Sequence, residues 1–226
     1  MNLLITIEWG KIIGETIGMT FLSTLLAYVI GLPLGILLKN SSAKGIRPNK
    51  PLNLILGTIV NFLRSIPCLI LTVILLPLTR AIMGRGTGEW YTMIIPLFFS
   101  TFAFVSRLVE QSLNDVDSGV VEMAKSMGAS NWKIITKVYL PEARSSLLTG
   151  VALTLVNVIG YTAFAYNLGA GGVIGEVWNF YTKNTRTFTE SWEFWVLILI
   201  AVLLVTIIQE AGLALSKKLD KRRIAK

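Results

Sequence analysis

Few residues in this chain could carry out chemistry, and none forms a recognisable catalytic arrangement. The 226 residues contain no histidine and a single cysteine, Cys68, so the commonest general base and metal ligand is missing. No GxxxxGK[ST] stretch occurs, so we expect no nucleotide-binding P-loop of its own. Cys68 follows Pro67 inside an apolar run and is interpreted as a packing residue. We therefore predict that the chain holds no metal.

The most structured polar stretch is EMAKSMGASNWKIITKVYLP, residues 122–141. Asp117 or Ser118 can cap a first short helix that ends at Gly128, and Ser130 can cap a second. Trp132, Ile135 and Tyr139 have the spacing of one helical face. The pattern predicts a compact helical hairpin. It either fits a groove on a partner protein or rests on the membrane surface, and periodicity alone leaves both alternatives open.

Three charged residues lie inside apolar runs. A central Arg in a membrane helix costs about 2.5 to 3.5 kcal/mol on insertion scales, so Arg64 should face protein or water. We expect Glu110 or other polar groups to satisfy it, in a structural role or in direct contact with substrate. Arg107 and Glu110 are three residues apart and can pair on one helix face.

An uncharged run further along the chain carries a polar and aromatic stripe. Asn157, Tyr161 and Phe164, followed one turn later by Leu168, fall on one face of an α-helix. Such a stripe can line a pathway, with Tyr161 and Phe164 as a gate. Ordinary packing between helices is the alternative interpretation.

The elements that must position these residues are membrane spans. The chain is 53% hydrophobic and 15% charged, with a mean hydropathy of +0.65, whereas soluble domains carry about 25% charged residues. A spanning helix needs about 20 apolar residues. We predict an all-α integral membrane fold, a single transmembrane domain over residues 1–226 with five spans at about 17–38, 54–78, 91–113, 145–168 and 194–215.

The distribution of lysine and arginine predicts the orientation. If the C-terminus is cytoplasmic, fourteen of the 21 basic residues lie in cytoplasmic segments and five lie outside, as the positive-inside rule requires. The inside residues are Lys39, Lys44, Arg47, Lys50, Lys125, Lys133, Lys137, Arg144, Lys217, Lys218, Lys221, Arg222, Arg223 and Lys226; the outside residues are Lys11, Arg80, Arg85, Lys183 and Arg186. We therefore place the N-terminus outside and residues 114–144 in the cytoplasm, between spans 3 and 4. The net charge of +8 needs no nucleic acid to explain it.

Gly31 and Gly35 have a small-xxx-small spacing in the first span, with Pro33 between them. The spacing indicates either a close helix contact or a kinked span of ordinary glycine content.

The polar hairpin resembles the EAA loop of ABC-importer permeases. The shared pattern is Glu122-x-Ala124-x-x-x-Gly128-Ala129, followed by a terminal Leu140-Pro141, with Met123 where the motif usually has Ala. In that family the loop forms coupling helices that dock into a cleft on a cytoplasmic ATPase. On this resemblance we assign ATPase coupling to Glu122, Ala124, Gly128, Ala129, Trp132, Leu140 and Pro141.

Four further segments resemble the methionine-type permease subunit in order and spacing: NFLRSIP (61–67), LPLTRAIMG (76–84), VSRLVEQSL (105–113) and GYTAF with LGAGGVIG (160–175). The resemblance implies a homodimer in the bacterial inner membrane, in contact with lipid. It also implies two P-loop ATPase subunits that bind ATP and magnesium, and a substrate-binding lipoprotein outside. On this resemblance the chain is expected to be a transport subunit and not itself an enzyme. The alternatives are an importer of another amino acid or small solute, a nucleotide-independent secondary carrier, and a membrane scaffold.

Overall fold

The computed structural model describes residues 8–183 and 191–219, and every regular element in these ranges is helical. The helices are α1 (Trp9–Ser41), α2 (Lys50–Ser65), α3 (Cys68–Ile74), α4 (Leu76–Met83), α5 (Ile94–Asn114), α6 (Ser118–Ser126), α7 (Asn131–Ile134), α8 (Leu140–Glu142), α9 (Arg144–Tyr161), α10 (Val173–Lys183) and α11 (Trp192–Leu219). Short 3₁₀ turns at Trp90–Met93 and Thr162–Leu168 precede α5 and extend α9, and a π-helical stretch at Ile135–Tyr139 joins α7 to α8. Span 1 corresponds to α1, and spans 3 to 5 correspond to α5, α9 and α11.

Four helical segments in the described ranges are long and apolar enough to cross a bilayer: Trp9–Ser41, Trp90–Asn114, Arg144–Leu168 and Trp192–Leu219. Helix α1 begins eight residues before the predicted first span. Its 33 residues extend about 50 Å at 1.5 Å per residue, which exceeds the hydrocarbon thickness of about 30 Å. The predicted all-helical architecture is thus confirmed for the described residues.

The predicted second span, at about residues 54–78, is not one continuous helix. Helix α2 ends at Ser65, α3 begins at Cys68, and the two are bent by 98°. Ile66 is extended, with ψ of 119°, because the ring of Pro67 disfavours the α conformation in the residue before it and Pro67 has no N–H to donate.

Helices α1 and α5 run parallel. The Ser23 hydroxyl donates to the Ile94 carbonyl (3.4 Å), and sixteen residues further along α1 the Lys39 ammonium donates to the Asn114 side chain (2.7 Å). The bundle therefore has a Trp9 end and a Ser41 end, named after the ends of α1. Since α1 finishes and α5 starts at opposite ends, the chain between them runs from the Ser41 end to the Trp9 end.

The remaining long helices alternate in direction. Ser146 at the start of α9 donates to Ser112 (2.9 Å) at the Ser41 end, while Gly172, just after α9 and its 3₁₀ extension, donates its N–H to Glu15 (3.0 Å) at the Trp9 end. Helix α11 runs back toward the Ser41 end, because Ser216 near its C-terminus contacts Ser145 there (3.0 Å between hydroxyls). Residues 114–144, between α5 and α9, thus lie at the Ser41 end.

The two glycines of α1 lie against α5. A Cβ added at Gly31 would lie 2.9 Å from the Phe102 carbonyl, and one at Gly35 would lie 2.6 Å from the Ser106 carbonyl. Only a residue without a side chain permits this approach. The close-contact interpretation of the glycine pair is therefore confirmed.

Candidate functional site

The first half of the polar hairpin is α6, and its ends are fixed by local hydrogen bonds. Asp117 is the N-cap, and its carboxylate accepts from the Gly119 N–H at 2.7 Å. Gly128 has φ of +76° and donates to the Lys125 carbonyl, while Ala129 donates to the Ala124 carbonyl (3.1 Å). This pair of bonds is a Schellman motif, so the predicted helix end at Gly128 is confirmed.

The second half departs from the predicted regular helix. Ser130 caps α7 by accepting from the Lys133 N–H (3.4 Å), but the chain becomes π-helical at Ile135. The wider π-helical turn breaks the i, i+3, i+4 register. The prediction that Trp132 and Tyr139 share one face is therefore wrong: Trp132 is 72% exposed and Tyr139 only 3%. Pro141 lies in α8 and does not open the next span, which begins at Arg144.

The inner side of the hairpin is packed onto the Ser41 end of the bundle. Val121, Ile134 and Tyr139 are buried together with Val109 and Leu113 of α5. Burial raises the pKa of the Tyr139 phenol, as expected for a group kept neutral in an apolar setting. Three of the predicted coupling residues, Ala124, Ala129 and Leu140, pack from the side against this cluster. The hairpin is therefore anchored to α5 by apolar contacts and is not a loose loop.

The outer side presents large apolar side chains to solvent. Met127 is 80% exposed, and Met123 and Trp132 are exposed with it; Glu122 and Gly128 are exposed as well. We call Glu122, Met123, Met127 and Trp132 the coupling surface. Sequence reasoning missed both methionines, although unbranched, polarizable Met is common on adaptable binding surfaces, and two of them in a polar segment were a usable signal.

Arg107 joins α5 to α2. Its guanidinium pairs with Glu110, as predicted from their spacing, and also donates to the Gly57 carbonyl (3.0 Å) and the Asn61 side chain (2.8 Å). The fork of five N–H donors allows one Arg to bridge several acceptors. This network fixes the half-span α2 beside α5.

Arg64 is not part of that network, so of the two predicted ways to satisfy it, pairing with Glu110 is wrong. Glu110 bonds to Arg107, while Arg64 lies exposed in the last turn of α2, just before the break at Pro67. A cation is favoured at a helix C-terminus, and Arg64 is also an electrostatic neighbour of Tyr161. The broken span thus places Arg64 toward α9.

The α-helix of α9 ends at Tyr161, so the predicted four-residue stripe does not continue on one α-helical face. Phe164 lies in the 3₁₀ stretch, where side chains repeat every three residues. Tyr161 and Phe164 still pack on one cluster, which contains Cys68. Asn157 is exposed. The structure therefore brings the two aromatic residues to the break in the second span and leaves Asn157 on the surface.

Comparisons with known proteins agree along most of the chain. Residues 31–221 match the family described as binding-protein-dependent transport system inner membrane component. A relative from Pasteurella multocida, a probable D-methionine transport system permease protein MetI, is 41% identical over 92% of this chain and 94% of its own. One of the same name from Haemophilus influenzae is 40% identical over 95% of this chain and all of its own length.

Solved structures show the same fold. The chain matches a subunit in inward-facing conformations of the MetNI methionine ABC transporter with a TM-score of 0.89 and 33% identity, over 97% of this chain and 99% of that one. An amino acid ABC transporter matches with a TM-score of 0.69 at 16% identity, which supports the fold alone. The chain belongs to the family of binding-protein-dependent transport system inner membrane components and is a multi-pass inner-membrane transport subunit.

Proposed function

We propose that this chain is the translocation subunit of an ATP-driven importer of methionine or a closely related amino acid. The similarity to D-methionine permeases along 92% of its length is the observation that carries the proposal. The chain has no P-loop in its sequence, so the work of transport comes from a partner. ATP and magnesium are bound by that partner and not by this chain.

The Ser41 end of the bundle is cytoplasmic in this proposal. Among the described residues, ten of the basic residues assigned to the inside lie toward this end, against four assigned to the outside; Arg186 and Lys221, Arg222, Arg223 and Lys226 lie outside the described residues. Because residues 42–90 run from one end of the bundle to the other, the broken second span counts as one crossing. Five crossings put the N-terminus outside and the C-terminus in the cytoplasm.

A cytoplasmic ATPase docks on the coupling surface. The surface combines exposed Met127 and Trp132 with a backbone locked by the turn at Gly128, and rigid apolar anchors dominate binding energies at protein interfaces. Its inner side is fixed to α5, so a displacement of the surface by the ATPase is transmitted to a membrane helix. The ATPase can shift the permease between two conformations only through contacts that differ between its own states. The coupling surface provides such contacts.

A second copy of this chain completes the translocation pathway. The segment α2 to α4 exposes many apolar side chains, among them Leu54, Phe62 and Ile82. Arg64 and Tyr161 lie near the break in the span, and Asn157 is exposed on α9. Closed two-fold symmetry is the commonest arrangement of homo-oligomers. The pathway then lies on the axis, with Tyr161 and Phe164 as its gate, and a substrate-binding lipoprotein delivers cargo at the Trp9 end.

Uptake by the chain reconstituted with its co-purifying ATPase and binding protein tests the proposal. Methionine should accumulate in vesicles only with ATP on the coupling-surface side, and D- and L-methionine are compared with unrelated amino acids. Accumulation driven by an ion gradient without ATP would identify a secondary carrier instead. Arg64→Leu should impair assembly or transport; if both are intact, the assigned roles of Arg64 are wrong.

A further inference from the structure

A cavity of about 430 Å³ lies at the Ser41 end, between the end of α1 and α6. Its lining is rich in lysine: Lys39, Lys44 and Lys125 contribute to it, together with Glu122, Ser118 and Tyr139. Three cations against one carboxylate give the cavity a net positive lining. None of these lysines forms an ion pair with a described carboxylate.

Lys39 is the unusual member, because it is a buried cation without a counter-ion. Its side chain is only 7% exposed. The ammonium donates to the neutral Asn114 side chain (2.7 Å) and lies 5.6 Å from the centre of the Tyr139 ring. Glu110 acts on Lys39 electrostatically but is bonded to Arg107. Buried charges are normally paired, and an ammonium has three donors.

Lys44 adds a second positive charge next to the first. It acts on Lys39 as a like charge and is itself exposed, as is Lys125 on the opposite wall formed by α6. Like charges held together around a cavity repel one another unless an anion lies between them. The arrangement is therefore suited to an anion held in the cavity among the three lysines.

The position of the cavity indicates where the anion comes from. Lys39 directly follows the apolar run that ends at Leu38, at the level of the lipid headgroups. Exposed apolar side chains of α1, among them Val29, lie further along the helix from Lys39. Basic pockets between helix ends at a membrane surface bind anionic headgroups, and acyl chains can lie on the apolar side of α1.

We propose that the cavity between α1 and α6 binds the phosphate headgroup of an anionic phospholipid, with Lys39, Lys44 and Lys125 as its cationic ligands. The headgroup pairs the buried Lys39 and links α1 to α6. Because α6 carries the coupling surface, the bound lipid stabilises the position of that surface relative to the first span.

Native mass spectrometry of the protein purified in detergent, supplied with phosphatidylglycerol or phosphatidylcholine, tests the proposal. Wild type should retain phosphatidylglycerol in preference to phosphatidylcholine. Lys44→Gln with Lys125→Gln should lower that retention about 30-fold, since each lysine near a headgroup contributes about 1 kcal/mol. Lys133→Gln, in the same segment but outside the cavity lining, is the matched control and should retain lipid as wild type does.

The double variant leaves buried Lys39 in place, so it tests binding without removing an anchored side chain. Equal retention of the two lipids, or retention by the double variant equal to wild type, overturns the proposal. Displacement of phosphatidylglycerol by millimolar inorganic phosphate identifies a soluble anion as the occupant and also overturns it. Exclusion of phosphatidylglycerol when the ATPase is bound also overturns the proposal, because an acidic side chain of the ATPase then fills the cavity.

Discussion

Gly35→Ala should destabilise the protein by disturbing the contact between α1 and α5. The new Cβ would lie 2.6 Å from both the Ser106 carbonyl oxygen and the Val109 Cβ. Both are backbone or backbone-adjacent atoms that cannot move aside without moving a helix. Overpacking of this kind costs about 1 to 3 kcal/mol, and the better helix propensity of Ala returns about 0.8 to 1.0 kcal/mol. The expected net effect is therefore a loss of up to about 2 kcal/mol relative to wild type.

Gly14→Ala is the matched control in the same helix. A Cβ at Gly14 meets nothing within 4 Å, so this variant gains helix propensity without a clash and should be as stable as wild type or more stable by up to about 1 kcal/mol. Unfolding of detergent-solubilised protein, followed by circular dichroism as a denaturing detergent is added, measures both. Equal stabilities of Gly35→Ala and Gly14→Ala would refute the reasoning, because the two substitutions differ only in what the Cβ contacts.

Substitutions at three other residues test separate features of the site. Arg107→Gln should lower stability by about 2 to 3 kcal/mol, as it removes charged hydrogen bonds between α5 and α2; Arg107→Lys should recover only part, because an ammonium lacks the planar fork. Tyr139→Phe should flatten the loss of stability at high pH. Burial raises the pKa of Tyr139, so its contribution is complete below the unfolded pKa of about 10 and is lost as pH rises through the higher folded pKa. Phe164→Ala should raise ATP hydrolysis without transport in the assembled complex, if Phe164 closes the pathway.

Thermal unfolding measures the stability of the Arg107 variants at neutral pH and that of Tyr139→Phe from about pH 8 to pH 11. Equal stability of Arg107→Lys and wild type would show that the bridging hydrogen bonds contribute nothing. Parallel pH curves for wild type and Tyr139→Phe would contradict the role given to burial. Wild-type coupling between hydrolysis and uptake in Phe164→Ala would count against the gate.

Much of the fold follows from sequence because hydropathy, helix caps and glycines act locally. Long apolar runs predicted the spans, and Asp117, Gly128 and Ser130 predicted the ends of the hairpin helices. Pro67, which breaks the second span, is visible in the sequence. Proline is nevertheless tolerated inside membrane helices when neighbours satisfy the freed backbone groups. Its effect therefore depends on packing that a sequence does not display.

The errors within the site have a common physical origin. The prediction that Trp132 and Tyr139 share one face assumed α-helical periodicity through a stretch that is π-helical. The prediction of a stripe through Phe164 assumed α-helical periodicity through a 3₁₀ stretch. The pairing of Arg64 with Glu110 joined two spans whose relative rotation was unknown, whereas the pair Arg107 and Glu110 needed only the geometry of one helix. The pair Arg107 and Glu110, confined to one regular turn, is confirmed, whereas each of these three errors crosses a change of helix type or links separate helices.

The central claim is that the exposed coupling surface binds an ATPase. Tagged wild-type chain, Trp132→Ser and Trp192→Ser are purified from native membranes under identical conditions, and bound proteins are quantified by mass spectrometry. Trp192 is 65% exposed, similar to Trp132, but it lies at the start of α11, away from the Ser41 end. Loss of an aromatic anchor at an interface costs about 2 kcal/mol or more, so a P-loop ATPase should be retained by wild type and Trp192→Ser and fall about 30-fold with Trp132→Ser. Equal retention by all three chains, or no ATPase with wild type, would contradict the account.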